Sequence, residues 1–258
     1  MRRIGFLLAG VLLVYGAVAY LALPDLWKHY EHAPELATVA KRTRTADGIP
    51  GDAINVALQG TRDEIVRAMH EAGWSPADPI TFETSARIVA SVLLHRPDPD
   101  APVSPLFYEG RKQDLAFEKL VGGSAKERNH VRFWALDPDA PRPFWLGAAT
   151  FDRGVGLSHT TGQVTHHIAP DIDAERDTLV ADLRRARVVA TQFQVTGMGP
   201  TLDAHNGGGD RFFTDGEVDV CVLHPGAAPS DAPVELLASP TRIQLKNQAW
   251  SALAPLMD

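Results

Sequence analysis

Between positions 54 and 59 the chain sets Ile54, Val56 and Leu58 against Asn55 and Gln59, a two-residue period that predicts a half-buried strand. Thr61 and Glu64 follow at the spacing of a capping box, in which the hydroxyl serves an orphan N–H and the carboxylate reaches back. Behind them Ile65, Val66, Ala68, Met69 and Ala72 share one helical face, and Gly73 is placed to stop the helix in a left-handed conformation. A second helix is expected over 82–95, where Ile88, Val89, Val92 and Leu93 recur at helical spacing before Pro97. A long Pro-rich stretch over 96–123 then presents Tyr108, Arg111, Lys112, Gln113 and Asp114 together.

Strand patterns return over 130–136 and 144–151, the chain bends through Gly154 and Gly156, and 163–168 reads as a further short strand. Asp173 is the expected cap of a helix over 174–187, whose acidic first turn and basic last turn suit the helix dipole. Strands over 188–195 and 217–223 flank the glycine loop "HNGGGDRFFTDG", and an amphipathic stretch near 243–256 is placed to dock on the body. Strands joined by short turns, with helices early and in the middle, predict an α+β domain with a mainly antiparallel sheet and a few packed helices.

In front of this domain lies a different pattern. Arg2 and Arg3 precede a run over 4–23 without one charged side chain, which as a helix rises roughly 30 Å, the thickness of a bilayer core. Residues 1–23 therefore read as one N-terminal transmembrane helix, with Trp27 and Tyr30 as its interfacial belt. The rival reading is a cleavable signal peptide, because "AVA" at 17–19 fits a cleavage site. In both cases the globular part crosses the membrane, and the positive-inside rule leaves the two arginines in the cytoplasm. The expected arrangement is a single membrane pass with the domain on the extracytoplasmic side. Residues 24–47, polar and carrying "KRTR" at 41–44, read as a juxtamembrane linker, 48–225 as the domain, and 226–258 as a Pro/Ala-rich tail. On that reading a chain cut before Gly48 remains a soluble folded domain.

Hydrophobic residues at 45% and charged residues at 22% are ordinary globular usage. The net charge of −7 with no strong basic block argues against a nucleic-acid partner. Cys221 is the only cysteine, which excludes an intramolecular disulfide and a Cys-cluster zinc site. Its alternating setting in "EVDVCVLH" makes it a small core hydrophobe.

Four blocks, "GDAINVALQG" at 51–60, "SPLFYEGRKQDLAFEK" at 104–119, "HVRFW" at 130–134 and "WLGAATFDRGVGLSHTTGQVTHHIAPDIDAERD" at 145–177, together resemble the LssY carboxy-terminal domain family. The likeness runs over roughly residues 48 to 225. It implies a membrane-associated bacterial envelope protein, since such domains commonly follow transmembrane segments, including DedA-like and lipid-phosphate-phosphatase-like ones. The phosphatase signature blocks are absent here, so the resemblance supplies no catalytic residues. It points to the lipid bilayer and to other envelope membrane proteins as partners.

The stretch "LSHTTGQVTHHIAPDIDAERD" at 157–177 concentrates the candidate chemistry. Strand periodicity sends His166 and His167 to opposite faces, so the two cannot both enter one metal shell. His166, flanked on its own face by Val164 and Ile168, reads as a core histidine. His130, His159 and His167, with Asp152 or Asp171, match the imidazole and carboxylate ligation of a divalent metal, the cofactor expected if there is one. Without metal, His167, His159 and Asp152 are the candidates for acid-base catalysis. Arg111, Arg153 and Lys112, with Asp114 and His130, are candidates for binding an anionic headgroup; the plainer alternative is a loop pin between Arg111 and Asp114. Asp171 and Asp173 have an ordinary role at a helix N-terminus. The loop "HNGGGD" lacks the Lys-Ser/Thr of a P-loop and reads as flexible, and no GxSxG elbow supports a serine hydrolase. The leading expectation is a domain that binds an envelope lipid or anionic ligand or serves envelope transport or secretion. The alternatives are a metal- or histidine-dependent hydrolase of a phosphorylated or lipid-linked substrate, and a structural scaffold.

Overall fold

The computed structural model describes residues 2–23, 33–77, 106–122, 124–162 and 164–257. The helix expected over 82–95, most of the Pro-rich stretch before Leu106, and the pair Trp27 and Tyr30 lie outside the described residues. The first helix, α1 (Arg2–Ala17), continues into a π-helical turn over Val18–Ala22. Its window Gly5–Ala22 has a mean hydropathy of 2.1 with none of it buried, so by length and composition it is fit to cross a membrane; a signal sequence meets the same criteria.

The body is α+β and mainly antiparallel. Its strands are β1 (Arg42–Arg44), β2 (Pro50–Ala53), β3 (Val56–Gln59), β4 (Ser75–Pro76), β5 (Phe107–Tyr108), β6 (Arg111–Lys112), β7 (Leu115–Val121) and β8 (Ser124–Ala135). They continue with β9 (Phe144–Leu157), β10 (Val164–Ile168), β11 (Val189–Thr196), β12 (Thr201–His205), β13 (Arg211–Thr214), β14 (Glu217–Leu223) and β15 (Glu235–Leu236). Among the described residues three α-helices accompany it: α2 (Arg62–Glu71), α3 (Ile172–Arg185) and α4 (Thr241–Leu253). The main sheet runs β15-β11-β14-β3-β9-β8-β7-β4, with β10 also paired to β9. Among the described strands, only the β3–β14 and β11–β15 pairs within it are parallel.

Two cores sandwich this sheet. On one face α2 and α3 bury Ile65, Met69, Leu179 and Leu183 against Leu58, Phe117, Val131 and Phe133. The helix read from the capping box forms as expected: Thr61 accepts from Glu64 N, Glu64 caps back, and Gly73 takes φ +82°. On the other face Leu36, Ile54, Tyr108, Trp134 and Val220 pack beneath a second sheet of order β2-β1-β5-β6. This corrects the linker boundary. Ala33 and Leu36 are core residues, and the Thr43 hydroxyl, fully buried within "KRTR", donates to Asp52 O at 3.0 Å. The packed body therefore starts well before Gly48, its charged side chains alternating with buried ones along β1.

Asn55 determines how β9 is used. The N-terminal part of β9 pairs with β3 over Phe144 to Gly147, and its C-terminal part pairs with β10 over Asp152 to Leu157. Between them the buried Asn55 side chain takes the place of a strand, its Nδ2 donating to Ala149 O at 2.9 Å and its Oδ1 accepting from Ala149 N at 2.9 Å. The same Nδ2 donates to Ile172 O at 3.1 Å, which fixes the first turn of α3. The strand thus runs unbroken through Gly154 and Gly156, where the sequence predicts a bend, and reaches out to the turn at 158–162.

The cap of α3 is Asp171 rather than Asp173: Asp171 Oδ1 accepts from Asp173 N and Ala174 N, both at 3.1 Å. Asp173 sits buried in the first turn, with Arg176 at 3.3 Å. Arg176 also meets Asp215 at 2.9 Å and Asp219 at 3.0 Å, binding α3 to the β13–β14 connection. Burial drives the Asp173 carboxyl up to about 6, against the pull of Arg176. The C-terminal stretch docks as expected. Ile243 and Trp250 of α4 are buried, and Lys246 reaches Glu217 at 3.0 Å.

Candidate functional site around the β9–β10 hairpin

The hairpin turn and the loop 206–210 lock together through main-chain groups. Gly208 O accepts from His159 N at 2.8 Å and from the Ser158 hydroxyl at 3.2 Å. Within the loop, Asn206 Oδ1 accepts from Gly208 N at 3.0 Å and from Asp210 N at 2.9 Å. The stretch read as a flexible glycine loop is therefore a built one, its amides turned inward by Asn206. Glycine is required at 209, because a Cβ there would stand 2.7 Å from His159 Cβ and φ is +86°.

This junction brings His159, His167 and Asp210 together, with one donor atom of each within 4.8 Å of the others. His167 Nδ1 lies 2.6 Å from Asp210 Oδ1, and His159 Nε2 lies 3.8 Å from the same oxygen. The two imidazoles are 5.1 Å apart between centroids. Asp210 is buried and its second oxygen accepts from Ile168 N at 3.2 Å, whereas the His159 side chain is 67% exposed. Gly156 makes room for the His167 ring, since a Cβ there would come within 2.5 Å of Nε2.

Beside the cluster, and sharing the 158–161 turn and the 206–208 loop with it, opens a cleft of about 190 Å³. Thr45, Thr150, Ser158, Thr161 and Thr165 line it, together with Asp52, Arg132, Asp152 and His166. Two ion pairs support its floor: Arg132 with Asp52 at 3.3 Å, and Arg128 with Asp152 at 3.0 Å. Arg128 also holds Glu118 at 2.9 Å and approaches the His166 ring at 3.3 Å. Burial raises the Asp52 carboxyl against the pull of Arg132. Burial, seconded by Arg132 and Arg128, pushes His130 well below the ordinary imidazole range, so it is neutral at physiological pH. His130 Nε2 has no hydrogen-bond partner among the described residues. His166 is lowered too, by burial first and Arg128 among the rest, with Asp152 opposing.

The predicted residues thus separate into groups. His159 and His167 meet, and His166 and His167 diverge as strand periodicity requires, one to Arg128 and the other to Asp210. His130 is buried on β8 away from that cluster, Asp152 is held by Arg128 in the cleft, and Asp171 caps α3. Arg111 and Asp114 pin their own loop: they pair at 3.4 Å, Arg111 donates to Ala135 O at 2.6 Å, and Asp114 accepts from Ala135 N at 2.8 Å. Arg153 is exposed on β9. The carboxylate missing from the sequence reading is Asp210. Its signal was the Asn206-to-Asp210 spacing around three glycines, the pattern of a loop folded onto an asparagine side chain.

These elements define a mainly antiparallel α+β domain behind an apolar N-terminal helix. A family model described as LssY C-terminus matches residues 33–218, and the chain belongs to that family. The match begins at Ala33, which is itself a buried residue. No curated protein and no solved structure gives a match.

Proposed function

We propose that this chain is a membrane-anchored, extracytoplasmic domain of the bacterial envelope that binds the polar headgroup of an envelope molecule in the cleft beside the β9–β10 hairpin. The cleft carries this reading. Its volume of about 190 Å³ is below the ~300–1,000 Å³ of pockets for drug-sized ligands, so it suits one ring or headgroup rather than a whole lipid. Its lining has three carboxylates, Asp47, Asp52 and Asp152, against the single guanidinium of Arg132, which Asp52 engages. That balance favours a hydroxyl-bearing headgroup over a phosphate, with hydroxyls of the protein and ligand exchanging hydrogen bonds. The anchor role of α1 and the exit of the domain from the cytoplasm rest on its apolar length and on Arg2 and Arg3 at its start.

The test is native mass spectrometry of the full chain purified in detergent from bacterial membranes, beside a Thr150→Val/Thr165→Val double variant. A co-purifying glycan- or polyol-bearing molecule that the variant loses supports the reading. Retention of the same molecule by the variant, or absence of any such molecule from the wild type, overturns it. A second reading, hydrolysis of a phosphorylated or lipid-linked substrate, is supported by the position of the His167–Asp210 pair next to the cleft. Turnover of a phosphoester panel by the wild type that disappears in His167→Ala would move it ahead.

A further inference from the structure

We infer that His159, His167 and Asp210 form a binding site for one divalent first-row transition-metal ion, with zinc as the ion of choice. This goes beyond headgroup binding and does not depend on it, because the three donors lie in the cluster and none of them lines the cleft.

The geometry is that of a shell nearly closed. Ligand atoms at about 2.0–2.1 Å from a tetrahedral zinc stand ~3.3 Å from one another. The His167 Nδ1 to Asp210 Oδ1 distance of 2.6 Å and the His159 Nε2 to Asp210 Oδ1 distance of 3.8 Å fall on either side of that value. All three ligand atoms lie within 4.8 Å of one another, so closing the shell takes side-chain rotation alone, and His159, exposed on its turn, is free to make it.

The donor set selects the ion. Two imidazoles and one carboxylate suit zinc and its first-row neighbours, whereas calcium and magnesium take oxygen ligands. Three protein ligands leave a position open to water or a ligand, as in catalytic rather than structural zinc sites.

The surroundings hold the donors in place, as the outer shell of a metal site does. Asp210 Oδ2 is fixed by Ile168 N, and the Asp210 main chain is fixed by Asn206. His159 is tied through its N–H to Gly208 O, so its ring has a defined base although its side chain is exposed. Gly156 leaves space for the His167 ring, and Gly209 leaves space for the His159 Cβ. A bare His167–Asp210 acid-base pair would need neither His159 nor Gly209 in this arrangement, and that is what separates the two readings.

The test uses the full chain in detergent, purified without a histidine tag and stripped with a chelator. Zinc is then titrated against a chromophoric competitor, with Co²⁺ absorption as the spectroscopic check on ligand type. The wild type and a His70→Ala control on α2 are expected to bind about one equivalent, and His159→Ala and Asp210→Asn to lose at least tenfold in affinity. Because His159 is exposed, its removal leaves the fold intact even if Asp210→Asn loosens the loop, which circular dichroism checks. Failure of the folded wild type to compete for zinc, or undiminished binding by His159→Ala, overturns the inference. Either result leaves the headgroup reading standing, since that is read from a different ligand.

Discussion

Replacing Glu175 by Gln should stabilise this protein, and by an amount that grows with pH. Glu175 lies in the first turn of α3 with 3% of its surface exposed, and its Oε1 has no hydrogen-bond partner among the described residues. Burial, with Asp152 and Asp182 adding to it and Lys119 opposing, raises the carboxyl from 4.5 to about 9. In the fold it is therefore protonated at neutral pH, while in the unfolded chain it ionises near its ordinary value. A group raised in this way contributes fully below the unfolded value, and its contribution is lost as pH rises through the window up to about 9. Each pH unit inside that window costs about 1.4 kcal/mol, so at pH 7 the penalty is on the order of 3 kcal/mol. Gln keeps the shape and removes the titration. Denaturant unfolding of the full chain in detergent, at pH steps from about 5 to about 8, reads the difference between variant and wild type. Other raised groups such as Asp173 titrate in both proteins and cancel. The difference should be near zero at the acid end and widen steadily towards the alkaline end. Parallel stability profiles would refute the reasoning, because they would mean that Glu175 is ionised or solvated in the fold. The site is affected as well: a neutral Glu175 spares Asp152 a like charge and leaves it to Arg128 at the cleft.

Three further outcomes are expected. Gly156→Ala should drive the His167 ring off Asp210 and weaken zinc binding roughly tenfold or more, with a stability loss of only about 1 kcal/mol; an unchanged zinc affinity would show that the contact is not needed. Asn55→Ala leaves Ala149 N, Ala149 O and Ile172 O without their buried partner, for a loss of about 3–5 kcal/mol by denaturant unfolding. A chain starting at Ala33 should be folded and monodisperse by circular dichroism and size-exclusion chromatography. One starting at Gly48 loses β1 from between β2 and β5 and should aggregate.

What could be read along the chain was whatever depends on near neighbours. The α2 helix follows from Thr61, Glu64 and a face repeated every three or four residues, and the divergence of His166 and His167 follows from strand pleating alone. The expectation for α3 missed by two residues because Asp171 and Asp173 are both good caps, and only the pairing of Asp173 with Arg176 and Thr214 decides between them. Residues 33–44 look like a spacer because their composition is polar, yet Thr43 is fully buried; a three-residue strand is too short to show its alternation. The partnership of Asp210 with His167 was out of reach for a different reason. The two lie 43 residues apart and are joined only by packing of the 206–210 loop on the hairpin. The long reach of β9 was hidden as well, because Gly154 and Gly156 signal a bend locally, while in the fold pairing with β10 carries the strand on through both and Gly156 makes room for the His167 ring.

The claim on which most depends is that the β9–β10 hairpin and the 206–210 loop together make a metal centre. Its most direct measurement is an anomalous difference map at the zinc absorption edge, from crystals of the chain grown with zinc. One dominant peak within about 2.0–2.2 Å of His159, His167 and Asp210 is the expected result. Strong peaks only at other histidines, with His167 still bonded to Asp210 and no density between the rings, would contradict it.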